Sequence, residues 1–483
     1  MSASLLSTLF SNILSVAMIV LFFGGSIFVH ELGHFLAARR RGVKVDRFSI
    51  GFGPKIFSWT RDGVEYRLSW LPLGGYVALP QLADLSAIEG DSADTAKLPP
   101  VTYTTKLIVF VAGAFFNMLF AFVLACVLWQ IGRPAPENIT TTQIGYVLPT
   151  LKLSDGREVE SPASKAGLQV GDIIRRVDGR EVSDWVQFKS AMVLGTEVSA
   201  GGERAATLTI ERNGQLKDIS LAPERTGDEG FRAIGVAAAY SAVIDAVLPG
   251  SPGEKLGFMA GDRFTGSDGV RAISFDQISR ELRLPLDHPI VLMVERNGQS
   301  VNIPVPATPK DKPHPLTGLQ ISIPYRLLHD TPGRQFYEII DNTFRTIWSL
   351  VSPRGDLSVS NLRGPIGIGR GFWDAAQSDY PIRFAIWFAI LVNLNLAIFN
   401  LLPIPVLDGG QILFATVGKL RGRALPINFI AATQSVFIVL LLSMVLYVSF
   451  FDVRRWARDV RSDRAETKEA AEPAKKAAEP AKP

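Results

Sequence analysis

Charge is scarce in this chain of 483 residues, and histidine and cysteine are scarcer: 20% of residues are Asp, Glu, Lys or Arg, five are His and one is Cys. The lone Cys126 excludes an intrachain disulfide and a thiolate-rich metal site, so cysteine usage does not reveal a redox compartment. The excess of positive charge is small, +4 with a pI near 9.0, and Lys and Arg are dispersed without interleaved aromatics. That pattern excludes a nucleic-acid surface as the reading of the charge. What is abundant is apolar: 47% of residues are hydrophobic, in a chain long enough for about three domains, which points to a membrane protein with a soluble portion.

Four stretches approach the roughly twenty apolar residues that a membrane-crossing helix needs: 5–38, 106–132, 382–405 and 428–451. The first lacks a basic n-region and runs directly into a polar motif, so it reads as a retained span and not as a cleaved signal peptide. No Lys or Arg precedes Arg39, whereas 39–67 carries Arg39, Arg40, Arg41, Lys44, Arg47, Lys55, Arg61 and Arg67. Positive charge on the inner side then places this loop in the cytoplasm and the N-terminus outside, and Lys419, Arg421 and Arg423 after the third span agree. The tail opens on the basic "DVRRWARDVRSDR", although four spans place it outside; its interleaved acids and the greater weight of early spans favour the first loop.

Residues 133–330 are polar and rich in Gly and Pro, and they repeat internally: "SPASKAGLQVGDIIRRVDGREV" from 161 returns as "GSPGEKLGFMAGDRFTGSDGVRAI" from 250. Each copy runs on to "ERNGQ", where Asn-Gly signals a hairpin. The pattern resembles tandem PDZ domains of the bacterial periplasmic type, expected at 133–228 and 229–330, which capture an extended peptide at a sheet edge. A steric cap over the membrane part accounts for the same repeat. Over 331–381, Phe336, Ile339, Ile340, Phe344, Ile347 and Trp348 recur at helical spacing, predicting an amphipathic helix on the outer membrane surface and a linker. The tail, 454–483, is expected to be largely disordered, being of low complexity after Ala465.

The chemistry concentrates in "FVHELGHFLAARRRG". His30 and His34 stand about 40° apart around a helix and roughly 6 Å along it, so both imidazoles can face one metal ion. Glu31, about 100° round from His30, suits a general base for a water at that metal; HExxH is the zincin signature. Two histidines packed in a helix core are the bland alternative, but ionisable groups in a span cost several kcal/mol and mark function. At 1.5 Å per residue, His30 lies roughly 13 Å inward of Arg39, towards the cytoplasmic side. His288, His314 and His329 stand alone and read as surface or structural residues.

A catalytic zinc takes a third protein ligand. Asp408 in "NLNLAIFNLLPIPVLDGGQIL" is the candidate, after Pro403 and Pro405 break the helix and before Gly409 and Gly410 permit an unusual path. Asn395 and Asn400 add amides to the same span, for a substrate backbone or for helix–helix hydrogen bonds. HELGH in a first span, a PDZ-like insertion after the second and NLLPIPVLDGG at the third together resemble the site-2 intramembrane zinc metalloproteases, nearest the bacterial branch that regulates sigma E.

The resemblance implies a polytopic α-helical membrane protein of four transmembrane helices. Segment 1–132 holds the first two with a membrane-associated β-hairpin region; a tandem PDZ (α+β) periplasmic insertion comes next, and 382–453 holds the last two. It implies Zn2+ held by His30, His34 and Asp408, Glu31 as catalytic acid/base, and substrate contacts from Asn395 and Asn400. Gln411 stands where the family carries a histidine, which leaves this ligand set untouched. Asp62-Gly63 predicts a hairpin between two β-prone runs, and the Gly51-Phe52-Gly53 loop with its strands resembles the family's element that pairs with an unwound substrate; a purely structural hairpin is the alternative. The expected partners are the lipid bilayer, single-span membrane proteins, among them an anti-sigma factor already cut outside in envelope stress signalling, and peptide termini at the PDZ domains. The expected location is the bacterial inner membrane, and the rival from another class is a membrane PDZ scaffold with a structural metal.

Overall fold

The structure is a computed structural model that describes residues 12–85, 98–199, 201–282, 285–309 and 312–478; residues 5–11 of the expected first span lie outside it. The order is α1 (Asn12–Arg40), β1 (Arg47–Arg61), β2 (Val64–Ala78), α2 (Tyr103–Ile131) and a β-rich stretch, then α3 (Pro332–Val351), α4 (Pro365–Ala376), α5 (Pro381–Asn400), α6 (Asp408–Leu420) and α7 (Ile427–Ala478). Among the described residues, α1, α2, α5 and residues 427–461 of α7 are long and apolar enough to cross a membrane, so the protein is a multi-pass membrane protein. Leu440, Leu442, Leu446 and Phe450 of α7 are exposed, as lipid-facing side chains should be. The chain forms two compact units, one of 1–133, 328–343 and 362–457, the other of 134–327, 344–361 and 458–483.

In the helical unit, α1 contains a π-helical stretch, Ile19–Gly24, just before the HELGH turn. Ser26 Oγ donates to Phe22 O at 2.6 Å there, and Asn393 of α5 donates to Ser26 Oγ at 2.8 Å, so a polar pair supports the irregular turn inside an apolar bundle. α1 meets α2 closely because both carry glycine at the crossing: a methyl on Gly33 would lie 2.4 Å from Ala112 O. Phe336 and Ile339 of α3 pack with Ala121, Ala125 and Leu128 of α2 and Ile386, Ile390 and Leu394 of α5. Phe344 and Trp348 further along α3 are exposed. The third span stops at Asn400 and not at 405, since prolines at 403 and 405 supply no N–H for the ladder. Asp452 of α7 accepts from the N–H groups of Gly364 and Gly367 at 2.9 and 2.8 Å, tying α7 to the start of α4. α7 itself runs on to Ala478, past Ala465 where low complexity predicts disorder, with Pro473 inside the helix.

The sheet beside α1 turns at Asp62-Gly63, with φ of 51° and 77°, the left-handed pair that joins Arg61 to Val64 in a two-residue hairpin. Residues 47–50 pair on one side with 65–68 and on the other with 75–78, so 75–78 forms an edge to which no other described strand is bonded. Gly51 and Gly53, at φ of 85° and 87°, bend β1 between residues 47–50 and the stretch 55–61, which pairs with 64–69.

In the second unit the two sequence copies make the same internal contacts. Asp172 receives Arg212 Nε and Nη2 at 2.7 Å each and the Gln169 N–H at 2.8 Å; Asp262 receives Arg296 Nε and Nη2 at 2.7 Å each and the Met259 N–H at 2.9 Å. The "GD" of each copy is thus the buried partner of the Arg in its "ERNG", and both Asn-Gly pairs take the left-handed hairpin geometry. The two copies have separate apolar cores, one around Ile174, Leu208 and Ile210 and one around Ile244, Leu292 and Val294.

Candidate metal centre

His30 and His34 project from the last three turns of α1, one turn apart, and their Nε2 atoms lie 3.1 Å from each other. Asp408 Oδ2 is 3.3 Å from each of them, so three ligand atoms form a nearly equilateral triangle. A tetrahedral ion with bonds of about 2.0–2.1 Å sets ligand atoms roughly 3.3–3.4 Å apart, close to that triangle. His34 Nδ1–H donates to Val109 O at 2.8 Å, which leaves a lone pair on Nε2 of the neutral ring, and Asp408 Oδ2 is buried without a hydrogen-bond donor. Convergent, largely shielded from solvent and with Asp408 Oδ2 lacking a donor, the three groups fit a divalent zinc ion.

Local sequence explains how Asp408 arrives. After α5 ends, residues 401–407 turn tightly on themselves, with Leu402 N bonded to Phe399 O and Leu407 N to Ile404 O. Helix α6 starts so close to this turn that methyls on Gly409 and Gly410 would lie 2.3 and 2.1 Å from backbone oxygens of Leu401 and Ile404. Gln411 is buried and donates to Pro405 O at 3.2 Å, bracing the same turn. Asp408 therefore stands in the first turn of a short helix that is held by backbone contact.

The structure brings most of the expected residues to one place. Asn400 Nδ2 is 3.4 Å from His30 Nε2, across 370 residues of sequence. Glu31 is half-buried, and β2 passes so near it that a methyl on Gly75 would lie 2.9 Å from Glu31 Cγ. The edge at 75–78 thus begins beside the Glu31 side chain. Asn395 is engaged elsewhere: its Oδ1 accepts from Thr343 of α3 at 2.7 Å and its Nδ2 donates to Leu391 O at 2.9 Å. Gly51 and Gly53 lie in the bend of β1, where Gly51 O accepts from Ser49 Oγ at 3.1 Å. His314 and His329 bond backbone groups, His314 Nε2 at 3.0 Å from Leu282 O and His329 Nδ1 at 2.7 Å from Trp129 O.

Sequence reasoning missed two residues of α2. A methyl on Gly113 would lie 2.4 Å from His34 Nε2 and 2.7 Å from His30 Cε1, so only glycine leaves room for both rings. Asn117, four residues on, sets its side-chain amide 3.4 Å from His30 Nδ1. The available signal was an amide alone in an apolar span, one turn after a glycine.

Comparison with known proteins agrees with this geometry. The profile of peptidase family M50 matches residues 18–444. The chain is 29% identical over 469 residues to Protease RseP of Yersinia pestis, covering 90% of this chain and 98% of that protein. It is 28% identical over 479 residues to Regulator of sigma-E protease RseP of Escherichia coli (strain K12), with the same coverage of 90% and 98%. A Neisseria meningitidis serogroup A protein bearing a zinc-metalloprotease name is 30% identical over 455 residues, or 88% of this chain and 96% of that one. With a family match over most of its length and a triad that fits the ion, the chain belongs to peptidase family M50 and is a zinc metalloprotease.

Proposed function

We propose that the protein hydrolyses a peptide bond within or near the membrane-crossing helix of single-span proteins, with His30, His34 and Asp408 holding zinc and Glu31 as acid/base. The observation that carries this reading is the convergence of the three ligand atoms beside Glu31 on a helix able to cross a membrane. Zinc, when bound, supplies Lewis acidity towards water and the substrate carbonyl. Glu31 accepts a proton from the attacking water and passes it to the leaving amine. Asn400 Nδ2, next to His30, donates to the substrate carbonyl, and Asn395 joins it when its bond to Thr343 is exchanged for one to substrate.

A helical peptide bond is shielded by its own hydrogen bonds, so cleavage requires unwinding and new backbone partners. The strand segment 75–78, at the border of its sheet and next to Glu31, supports an extended substrate laid beside the ligands, with the Gly51-Phe52-Gly53 bend shaping that sheet. The two copies in 133–330 serve as periplasmic PDZ domains that read trimmed peptide ends or exclude bulky outer domains. The basic loops face the cytoplasm, the membrane is the bacterial inner membrane, and α3 lies on its outer surface. The sigma-E names of the relatives support an anti-sigma factor, cut beforehand on its outer side, as the natural substrate in envelope stress. The test is purified wild-type and Glu31→Gln protein with a single-span reporter. Glu31→Gln is expected to keep its zinc and lose about 10²–10⁴-fold in cleavage rate; a zinc-loaded Glu31→Gln that cleaves at the wild-type rate sinks the assignment.

A further inference from the structure

We infer that Asn117 is a positioning residue for the metal centre: its Oδ1 accepts the hydrogen bond from His30 Nδ1–H and fixes which nitrogen of that ring faces the ion. The inference rests on His30 being a zinc ligand, as proposed above. Residues 109, 113 and 117 recur every four positions and so lie along one face of α2. Val109 O takes the Nδ1–H of His34 at 2.8 Å, Gly113 makes room for both rings, and Asn117 meets Nδ1 of His30. One helix face thus supplies an outer partner to each histidine.

The chemistry of the pair decides which end of the amide does this. A histidine that binds metal through Nε2 carries its proton on Nδ1 and needs an acceptor there. In the structure Asn117 Nδ2 is the atom 3.4 Å from Nδ1, while Asn117 Oδ1 is buried without a partner in a side chain that is 0% exposed. A half-turn of the amide exchanges two ends of nearly equal size. It gives the His30 N–H its acceptor and removes an orphaned carbonyl from an apolar bundle, so both deficits are met by one rotation. A residue present only for packing would have no need of an amide at this depth.

The test uses full-length protein in detergent and measures zinc affinity by chelator competition, with the absorption spectrum of the Co2+-substituted protein as a second readout; neither depends on turnover. Asn117→Leu is expected to weaken zinc about 10–100-fold and to alter the Co2+ spectrum. Asn117→Asp, which can only accept, is expected to retain both. Unchanged zinc affinity in Asn117→Leu overturns the inference. So does an Asn117→Asp as weak as Asn117→Leu when the metal-free proteins melt alike, since the amide would then act by donating or by packing. Should Asn117→Leu not fold, Asn117→Asp decides alone: zinc retained supports the acceptor role, and zinc lost from a folded protein overturns it. A zinc affinity that survives Asp408→Ala would instead remove the ligand reading itself, a result distinguishable from failure of the Asn117 inference.

Discussion

Gly113 shows how little space the histidine pair leaves. A methyl there meets His34 Nε2 at 2.4 Å, a contact that only movement of the ring relieves. Gly113→Ala is therefore expected to lose zinc and cleavage together while its melting temperature stays near wild type, checked by metal content per mole and thermal unfolding. Chelation of zinc should likewise abolish cleavage, and added zinc should restore it, as read with the same reporter. At this scale the histidines and Glu31 were legible because a helix repeats every 3.6 residues, so spacing alone puts His30 and His34 on one face. Asp408 was legible through its cost, a carboxylate among prolines and glycines at membrane depth. Asn117 and Gly113 were not, because one amide and one glycine in a span have no period and gain meaning only from the ring packed against them.

The elements carry two further expectations. Gly75 in β2 lies against Glu31 and Ser49 O, so Gly75→Val is expected to push the edge strand from the carboxylate and slow cleavage while leaving zinc bound. Metal content and rate measured on one preparation separate the two effects. In the β-rich unit the segment after α3 is held by Asp356, which receives Arg204 Nε at 2.8 Å and Arg232 Nε at 2.5 Å; Arg232 is only 4% exposed. Burial opposes ionisation of Asp356, but the hydrogen bonds and charges of the two guanidiniums outweigh it and hold its carboxyl below the usual range. A depressed folded pKa gives stability that is fully present above the ordinary carboxylate value of about 4 and is lost as pH falls below it. Asp356→Asn should leave Arg232 buried without its counter-charge and cost about 3–5 kcal/mol. Hydrogen exchange over 353–361 should rise in this variant at neutral pH, and in wild type only under acid. The hairpins in this unit and beside α1 were legible in Asn-Gly and Asp-Gly, whereas the partner of Asp356 was not, since no local rule links it to Arg232.

For the whole molecule, the distribution of Lys and Arg leads to an expected topology. With Cys126 replaced, single cysteines placed in the 39–67 loop should react with an impermeant maleimide only from the cytoplasmic side, and those in 133–330 only from outside. A cysteine after residue 461 that labels with the 39–67 loop would show that the chain does not cross four times. The sequence by itself determined the features set by near neighbours along the chain: apolar runs long enough to cross a membrane, two histidines one helical turn apart, and left-handed turns. These rest on backbone sterics and helix period, which act over a few residues. The tertiary structure brings Asp408 to His30 and His34, and it alone decided the other distant encounters: Asn117 with His30, Thr343 with Asn395, and the strand edge at Gly75 with Glu31. The physical reason is that such encounters are set by the packing of whole helices and sheets, where one buried polar atom finds its partner through space and no spacing in the chain records it.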